Sequence, residues 1–407
     1  MKKIIISLTL LAIFISMQAS SVFTYNGTAE INYSRDVFGQ GMGDTGIGDL
    51  FRQNTSLQNP ALSTTLDKTY FATGISMGYT TYSDLDNNTF KDDQIFLPYL
   101  HISFPYNNHR FGINFSNISS GSLNTEKEGS TTFGNSDDDI ITYNLEQNIS
   151  FSLYQAGFFY AHKNNLANLG VALNYIIGHK VEYTATQFPK EHNLVNSMFE
   201  LDQAFFNPTL VLGIAKDFKS LSAGASYTLP VELKGESTFK SNLESDPNGD
   251  TSYDYPASLA FGITWKAANS LYLSSDIDYQ QWKDTHNFQY PTNTTRIGVG
   301  LAWTGVTKSN LLFAKIPARI GISYRNLPFK INDSRIIETA YHFGLSIPLK
   351  QSDNTLDFAL KLFNRGDANK HDYEENGFLL SIGTQGFDFL RKPQNRKEPR
   401  DIPKPSR

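Results

Sequence analysis

The chain of 407 residues contains no cysteine. No disulfide can brace it, and neither thiol catalysis nor a Cys-ligated metal site is open to it. Beyond the first 21 residues there is no run of apolar residues long enough for a membrane helix, which needs about 18. Neither sign of charge dominates. The net charge of −5 provides no electrostatic footprint for nucleic acid. Signatures of catalysis are missing as well. There is no G-x-S-x-G, and the eight histidines form no H-E-x-x-H and sit beside no obvious paired acid. His342, on one face with Gly344 and Ser346, reads as structural. No enzymatic activity and no cofactor are expected.

The stretch "GQGMGDTGIGDLFRQNTSLQNPAL" does hold a G-x-G-x-x-G, at Gly41, Gly43 and Gly46. A dinucleotide fingerprint must follow a buried strand and open a helix. Here the preceding "AEINYSRDVFGQ" is mostly polar, and no parallel-sheet pattern follows. These glycines, with Gly48, read instead as tight turns without side chains. The chain opens on MKKIIISLTLLAIFISMQASS, with Lys2 and Lys3 ahead of an apolar run from Ile4 to Ile15. Ala19 and Ser21 suit the −3 and −1 positions of a cleavage site, so residues 1–21 are predicted to be a secretory signal peptide.

What the chain has in quantity is aromatics, 13% of residues with 30 Phe and 21 Tyr, at a mean hydropathy of only −0.35. From about Lys68 onward the apolar residues alternate. In "TLDFALKLF", Leu356, Phe358, Leu360 and Leu362 share one face, and Asp357, Ala359 and Lys361 the other. "SLYLSSDIDY", "NLGVALNYII" and "ASLAFGITW" behave alike. Period-two alternation is the mark of a strand with two unlike faces. A soluble sandwich and a membrane barrel both fit, and three features favour the barrel. The segments are long, as tilted membrane strands require. The less apolar face carries charge, at Asp276, Asp278, Arg296, Arg319, Arg325, Asp357 and Lys361. Aromatics stand near segment ends, at Tyr70–Phe71, Tyr79, Tyr82, Trp265, Trp282, Trp303 and Tyr324, as in interfacial girdles.

Segments fall at 68–82, 92–105, 109–121, 139–163 (with a possible break), 167–184, 203–217, 220–236, 252–267, 269–283, 293–304, 312–326, 335–350, 353–365 and 375–389. The expected fold is therefore all-β, a transmembrane antiparallel β-barrel of about 14 strands over residues 67–390. Short connections alternate with long polar ones at 122–138, 185–202, 237–251 and 284–292. Two stretches lie outside the wall. Residues 22–66 are rich in Gly, Asn, Ser and Thr. Residues 391–407, basic and proline-rich, are expected to be an extended, disordered tail.

The chain resembles the FadL family of long-chain fatty-acid and hydrocarbon outer-membrane transporters, in its Bacteroidetes-type form. The resemblance rests on Asn59, Pro60 and Ala61 after a glycine-rich segment, on Pro256, Ala257, Ser258, Gly262, Asp276 and Trp282 within "YPASLAFGITWKAANSLYLSSDIDYQQW", and on "IPARIGISYRNLPF" with the closing strands after it. The chain departs from the pattern in "DLFRQNTSLQ", where an Ala-rich run is common, and in its basic tail.

The resemblance implies a lumen plugged by an N-terminal hatch (residues 22–66, with Gly41, Gly43, Gly46, Gly48, Asn59, Pro60 and Ala61) and passive uptake of a hydrophobic small molecule. It also implies an opening in the wall at a kinked strand. "FSNISSGSLN" breaks alternation at Ser119, Ser120 and Gly121 and is the candidate kink. Arg319 and Arg325 are candidates to hold a ligand carboxylate, or else to pair in the lumen with Asp276, Asp278 or Asp357. The expected partners are outer-membrane lipid, the hydrophobic ligand and, during biogenesis, the outer-membrane barrel assembly machinery. The protein is expected to be a monomer in the bacterial outer membrane. A scaffold or shuttle for protein secretion, as in PorV-type relatives, is the alternative.

Overall fold

A computed structural model describes residues 21–23, 30–33, 35–55, 57–86, 88–132, 140–189, 194–242, 248–305, 316–349 and 354–386. Residues 1–20 of the expected signal peptide (1–21) and the basic tail lie outside the described residues. The alternating segments form one antiparallel sheet closed on itself. Its strands are β1 (Tyr70–Asp84), β2 (Thr89–Phe96 and Tyr99–Tyr106), β3 (His109–Thr132), β4 (Ile140–His162), β5 (Asn168–Gln187), β6 (Ser197–Asp217), β7 (Leu221–Thr228 and Val231–Ser241), β8 (Gly249–Tyr255 and Ser258–Ala268), β9 (Leu271–Gln280), β10 (Thr294–Trp303), β11 (Ala318–Ile331), β12 (Ser334–Pro348), β13 (Thr355–Gly366) and β14 (Tyr373–Gln385). The sheet closes where β14 pairs with β1, from Tyr373 opposite Asp84 to Gln385 opposite Ala72. This is a 14-stranded barrel.

Three strands are each interrupted once, and each interruption contains a proline: Pro98 in β2, Pro230 in β7 and Pro256 in β8. Proline has no N–H to give the ladder, so a strand carrying it bends or breaks. Pro230 and Pro256 lie at one level, since Val231 stands opposite Tyr255.

The two faces of the wall are chemically unlike. Outward, Phe261, Ile277, Ile297 and Tyr324 stand side by side across β8 to β11, all more than a third exposed. Such a continuous belt of exposed apolar side chains is what a barrel turns to lipid. Trp265, Trp303 and Tyr324 belong to this outer surface. Trp282, Tyr70 and Tyr82 do not; they are buried inward. A tryptophan at a strand end therefore marks an interface only if its register points it outward.

The strands differ greatly in height. β9 and β10 have 10 residues each, whereas β3, β4, β5 and β6 have 24, 23, 20 and 21. A membrane crossing needs about 9–11. The upper parts of β3 to β8 thus stand beyond the belt as a sheet on one side of the mouth, here called the tall end. This corrects the expectation of long loops at 122–138, 185–202 and 237–251. The ladder continues to Thr132, Gln187 and Ser241 and resumes at Ile140, Ser197 and Gly249, and β4 runs unbroken. Beyond the belt neither face meets lipid. Both carry polar residues there, so the sequence alternation fades while the hydrogen bonds continue.

Candidate functional site

The lumen is occupied by the chain's own N-terminal segment. Ser21–Phe23 lie beside the turn from β13 to β14 at the tall end. Glu30–Ile31 form a short strand against β3. A helical turn, α1 (Val37–Gln40), begins at Asp36, whose side chain accepts the Gly39 N–H at 2.8 Å. At the short-turn end Asn59 caps a 3-10 helix, Pro60–Thr65, that leads into β1. Asn59 also donates from Nδ2 to the Ile47 carbonyl at 2.9 Å and to the Ile214 carbonyl of β6 at 3.2 Å. One asparagine thereby fastens the hatch to itself and to the wall, and Pro60 tolerates the first helical position because its missing N–H is not needed there.

Three hatch glycines face glycines of the wall, whereas Gly46 faces Arg52 and Asn54 of the hatch itself. Gly41 abuts Gly344, Gly43 lies against Gly298 and Gly321, and Gly48 against Gly262 and Gly224. Asn59, Pro60 and Ala61 press on Gly170 and Gly213. At the glycine–glycine contacts side chains are absent on both sides, so backbone meets backbone. Gly43 also has φ of +75°, and a Cβ there would sit 2.6 Å from the Val299 carbonyl oxygen. Gly43→Val should therefore lift the hatch off the wall, with about 1–3 kcal/mol of backbone strain added to the clash. Limited proteolysis should then cut within the hatch of a barrel whose heat-dependent gel shift is unchanged.

Buried charged groups organise the segment at three levels. In the middle, Arg35 reaches Asp276 and Asp278 of β9, each at 3.2 Å, and all three side chains are at most 1% exposed. Asp276 accepts the hatch N–H groups of Gly46 and Ile47 at 2.8 and 3.0 Å. Asp278 binds Arg296 of β10, whose Nη2 donates to the Asp44 carbonyl at 2.6 Å, and accepts from Gln58 Nε2 at 2.6 Å. Lower down, Arg52 bridges Asp36 and Asp49 within the hatch. Burial pushes both carboxyls up. At Asp36 the Arg52 charge and the N–H groups of Gly39 and Thr55 prevail and hold it below the usual range; at Asp49 burial prevails over Arg52 and keeps it above. Phe38 lies between the Arg52 and Arg319 guanidiniums, 4.3 and 4.1 Å from its ring centre. Toward the tall end Arg325 donates to the Ile31 carbonyl at 2.7 Å and pairs with Glu338 at 2.6 Å. Glu338 also binds Arg365 and Lys361, and Arg365 binds Glu375 at 2.6 Å. Glu375 in turn accepts the Val22 N–H at 2.8 Å.

Arg319, Arg325 and Asp276 are thus all engaged. Arg319 lies 3.7 Å from Asp357, with Ser346 between them, and Asp276 holds the hatch. His342 donates from Nδ1 to the Gln40 carbonyl at 2.8 Å, which leaves Nε2 to accept from the Ser323 hydroxyl. The sequence reading passed over Arg35, Asp36, Arg52 and Glu338. The Arg35–Asp36 pair standing just ahead of a glycine-rich segment was the available signal for Arg35.

Among the described residues the wall has one notch. Above Pro98 the upper half of β2 (Thr89–Phe96) pairs only with β1, and β3 leaves its register at a bulge between Asn117 and Ser119. Glu30 and Ile31 pair with Ser120 and Ser119 inside this notch, and Asn32 N–H donates to the Ile118 carbonyl at 2.7 Å. Gly121 follows directly. The upper hatch and the wall around it share an apolar cluster of mostly aromatic side chains, including Tyr33, Phe151, Phe205, Tyr253, Trp282 and Phe329; Ile31 and Ile118 extend it to the notch. It is packed shut. The cleft lined by Asn32, Arg35, Phe96 and Arg325 has a free volume of about 40 Å³, room for a few waters.

The model of the family described as BamG matches residues 1–385. The chain belongs to the BamG family. Among solved structures this BamG-family barrel is similar in fold to the Ralstonia pickettii toluene transporter TbuX, at 14% identity and a TM-score of 0.60, covering 87% of this chain and 98% of that one. It is similar also to a Pseudomonas aeruginosa FadL homologue (12% identity, TM-score 0.58, 89% and 100% covered) and to the Pseudomonas putida toluene transporter TodX (15%, 0.56, 88% and 99%). No curated protein matches the chain in sequence.

Proposed function

We propose that the protein is an outer-membrane channel for passive uptake of hydrophobic small molecules such as long-chain fatty acids or hydrocarbons, with its tall end outward. The observation that carries this reading is the continuity of apolar side chains from Trp282, under the mouth, to Ile31 and Ile118 at the notch. A molecule disfavoured by an aqueous pore gains by moving along such a surface, at about 25 cal/mol per Å² buried. The two clefts beside this surface, about 40 Å³ each, are too small for one, so passage through the notch requires the Glu30–Ile31 strand to leave it. A fatty-acid carboxylate would compete with Asp357 for Arg319 and with Glu338 for Arg325.

Trp282 offers the test. The chain has three tryptophans, and Trp265 and Trp303 are on the lipid face. In a Trp265→Phe/Trp303→Phe barrel, a brominated fatty acid should quench Trp282 saturably, and unbrominated fatty acid should compete. Quenching that only rises linearly would sink the uptake reading. The second reading, a scaffold for secretion partners, is favoured by the filled lumen and the tall sheet. In that case proteins rather than lipids should co-purify after mild cross-linking.

A further inference from the structure

The tall sheet has two margins, and among the described residues one is covered and the other is covered only at its lower end. At the β8 margin the loop after Trp282 folds over the edge: the Asp254 N–H donates to Asn287 Oδ1 at 2.9 Å, and Asn287 Nδ2 donates to the Asp254 carbonyl at 2.6 Å. The Asn287 amide thus stands in for a neighbouring strand. At the β3 margin the hatch covers Ser119 and Ser120, and the Ser21 N–H reaches the Ser122 carbonyl at 3.4 Å. Beyond that, Leu123–Thr132 pair only with β4, and among the described residues nothing lies on their other side. Ten residues of strand span about 33 Å. Proteins normally shield so long an edge, because its free N–H and C=O groups template another strand.

We infer that this edge receives an extended polypeptide strand of another protein, bearing Lys or Arg at two positions two residues apart. The edge already accepts a strand lower down, where the chain's own Glu30–Ile31 adds to it. Charge specifies the rest. Glu126 stands directly opposite Glu146 on β4, and Glu128 follows on the same face, the one away from Phe151. None of the three has an ion pair among the described residues, and like charges directly opposite destabilise a sheet. Lys127 projects from the other face and relieves none of this. An added strand with cations opposite Glu126 and Glu128 offsets the repulsion and completes the ladder. A second copy of the chain does not fit. Two barrels oriented alike in one membrane run their β3 strands in the same sense and would bring glutamates against glutamates. This inference stands apart from the uptake reading.

The probe is a fluorescein-labelled peptide of ten residues, alternating Thr and Val, with Lys at two successive positions of one face; its control carries Glu there. Binding to the full-length barrel in detergent is read by anisotropy, and the location by amide hydrogen exchange. The lysine peptide should bind about tenfold more tightly than the control, from two favourable cross-strand pairs replacing two unfavourable ones. Protection should fall on Leu123–Thr132, and Glu126→Lys/Glu128→Lys should reverse the preference. If that variant fails the heat-dependent gel-shift check, Glu126→Gln/Glu128→Gln replaces it, and the preference should vanish. Absence of binding, equal binding of the two peptides, a preference the variants leave unchanged, or protection elsewhere would each overturn the inference.

Discussion

Asp278→Ala is expected to release the hatch from the wall while the barrel stays folded. The carboxylate sits between Arg35 of the hatch and Arg296 of β10, and its removal leaves two buried guanidiniums with one fewer counter-charge. Breaking a buried pair from one side typically costs about 3–5 kcal/mol, more than the net worth of the pair, because an uncompensated charge remains. Asp276 holds Arg35, Gly46 and Ile47 through Oδ2, while its Oδ1 lies toward Gly262 without a hydrogen-bond partner among the described residues, so Asp276 keeps its own pair with Arg35 but makes no bond to Arg296 that replaces the lost one. Most of the cost falls on the docked hatch rather than on the ladder of β9, whose backbone bonds to β8 and β10 are untouched. In planar bilayers the wild type should be nearly silent and the variant should carry steady current. Double substitution with Arg35→Ala should recover part of the closure by removing one stranded cation. A variant as silent as the wild type would show that the glycine seam alone seats the hatch.

A disulfide between Ile31→Cys and Ser119→Cys should abolish uptake. The two residues are paired in antiparallel register across the notch. Such pairs have Cα atoms about 4.5–5.5 Å apart, within the 4.4–6.8 Å that a disulfide spans. The cysteine-free background leaves no competing partner. Oxidised, the strand cannot leave the notch, and uptake of a labelled fatty acid into proteoliposomes should fall to that of empty vesicles. Dithiothreitol should restore it. Uptake that ignores the cross-link would mean that the ligand does not leave through this part of the wall.

The barrel was legible because lipid on one side and a packed lumen on the other force a period of two through every crossing. Where that pressure ends, legibility ends. The upper residues of β3 to β8 pair as regularly as those below, yet "SLNTEKEGSTT" reads as loop because neither of its faces is apolar. The notch shows a similar limit. Alternation drew attention to Ser119, Ser120 and Gly121, whereas the strand that ends short is the neighbouring β2, broken at Pro98. Charges on the lumen face could be named from register alone. Their partners could not, because Arg35 meets Asp276 across 241 residues of chain and Arg325 meets Glu338 only through the pairing of β11 with β12.

The clamped hatch also constrains the order of assembly. Its middle is held by β9 and β10, its upper part by β3 and β11, and it runs from one end of the lumen to the other. A segment gripped at so many heights cannot be threaded into a finished cylinder with its side chains in place. The last seam, joining Tyr79 to Phe378, must therefore close after the hatch is enclosed. Closing so long a loop costs little more entropy than closing a shorter one, but contacts this remote in sequence form slowly. The segment that precedes the first wall strand, and is made before it, then serves as a mandrel, on which the sheet is wound before its edges meet.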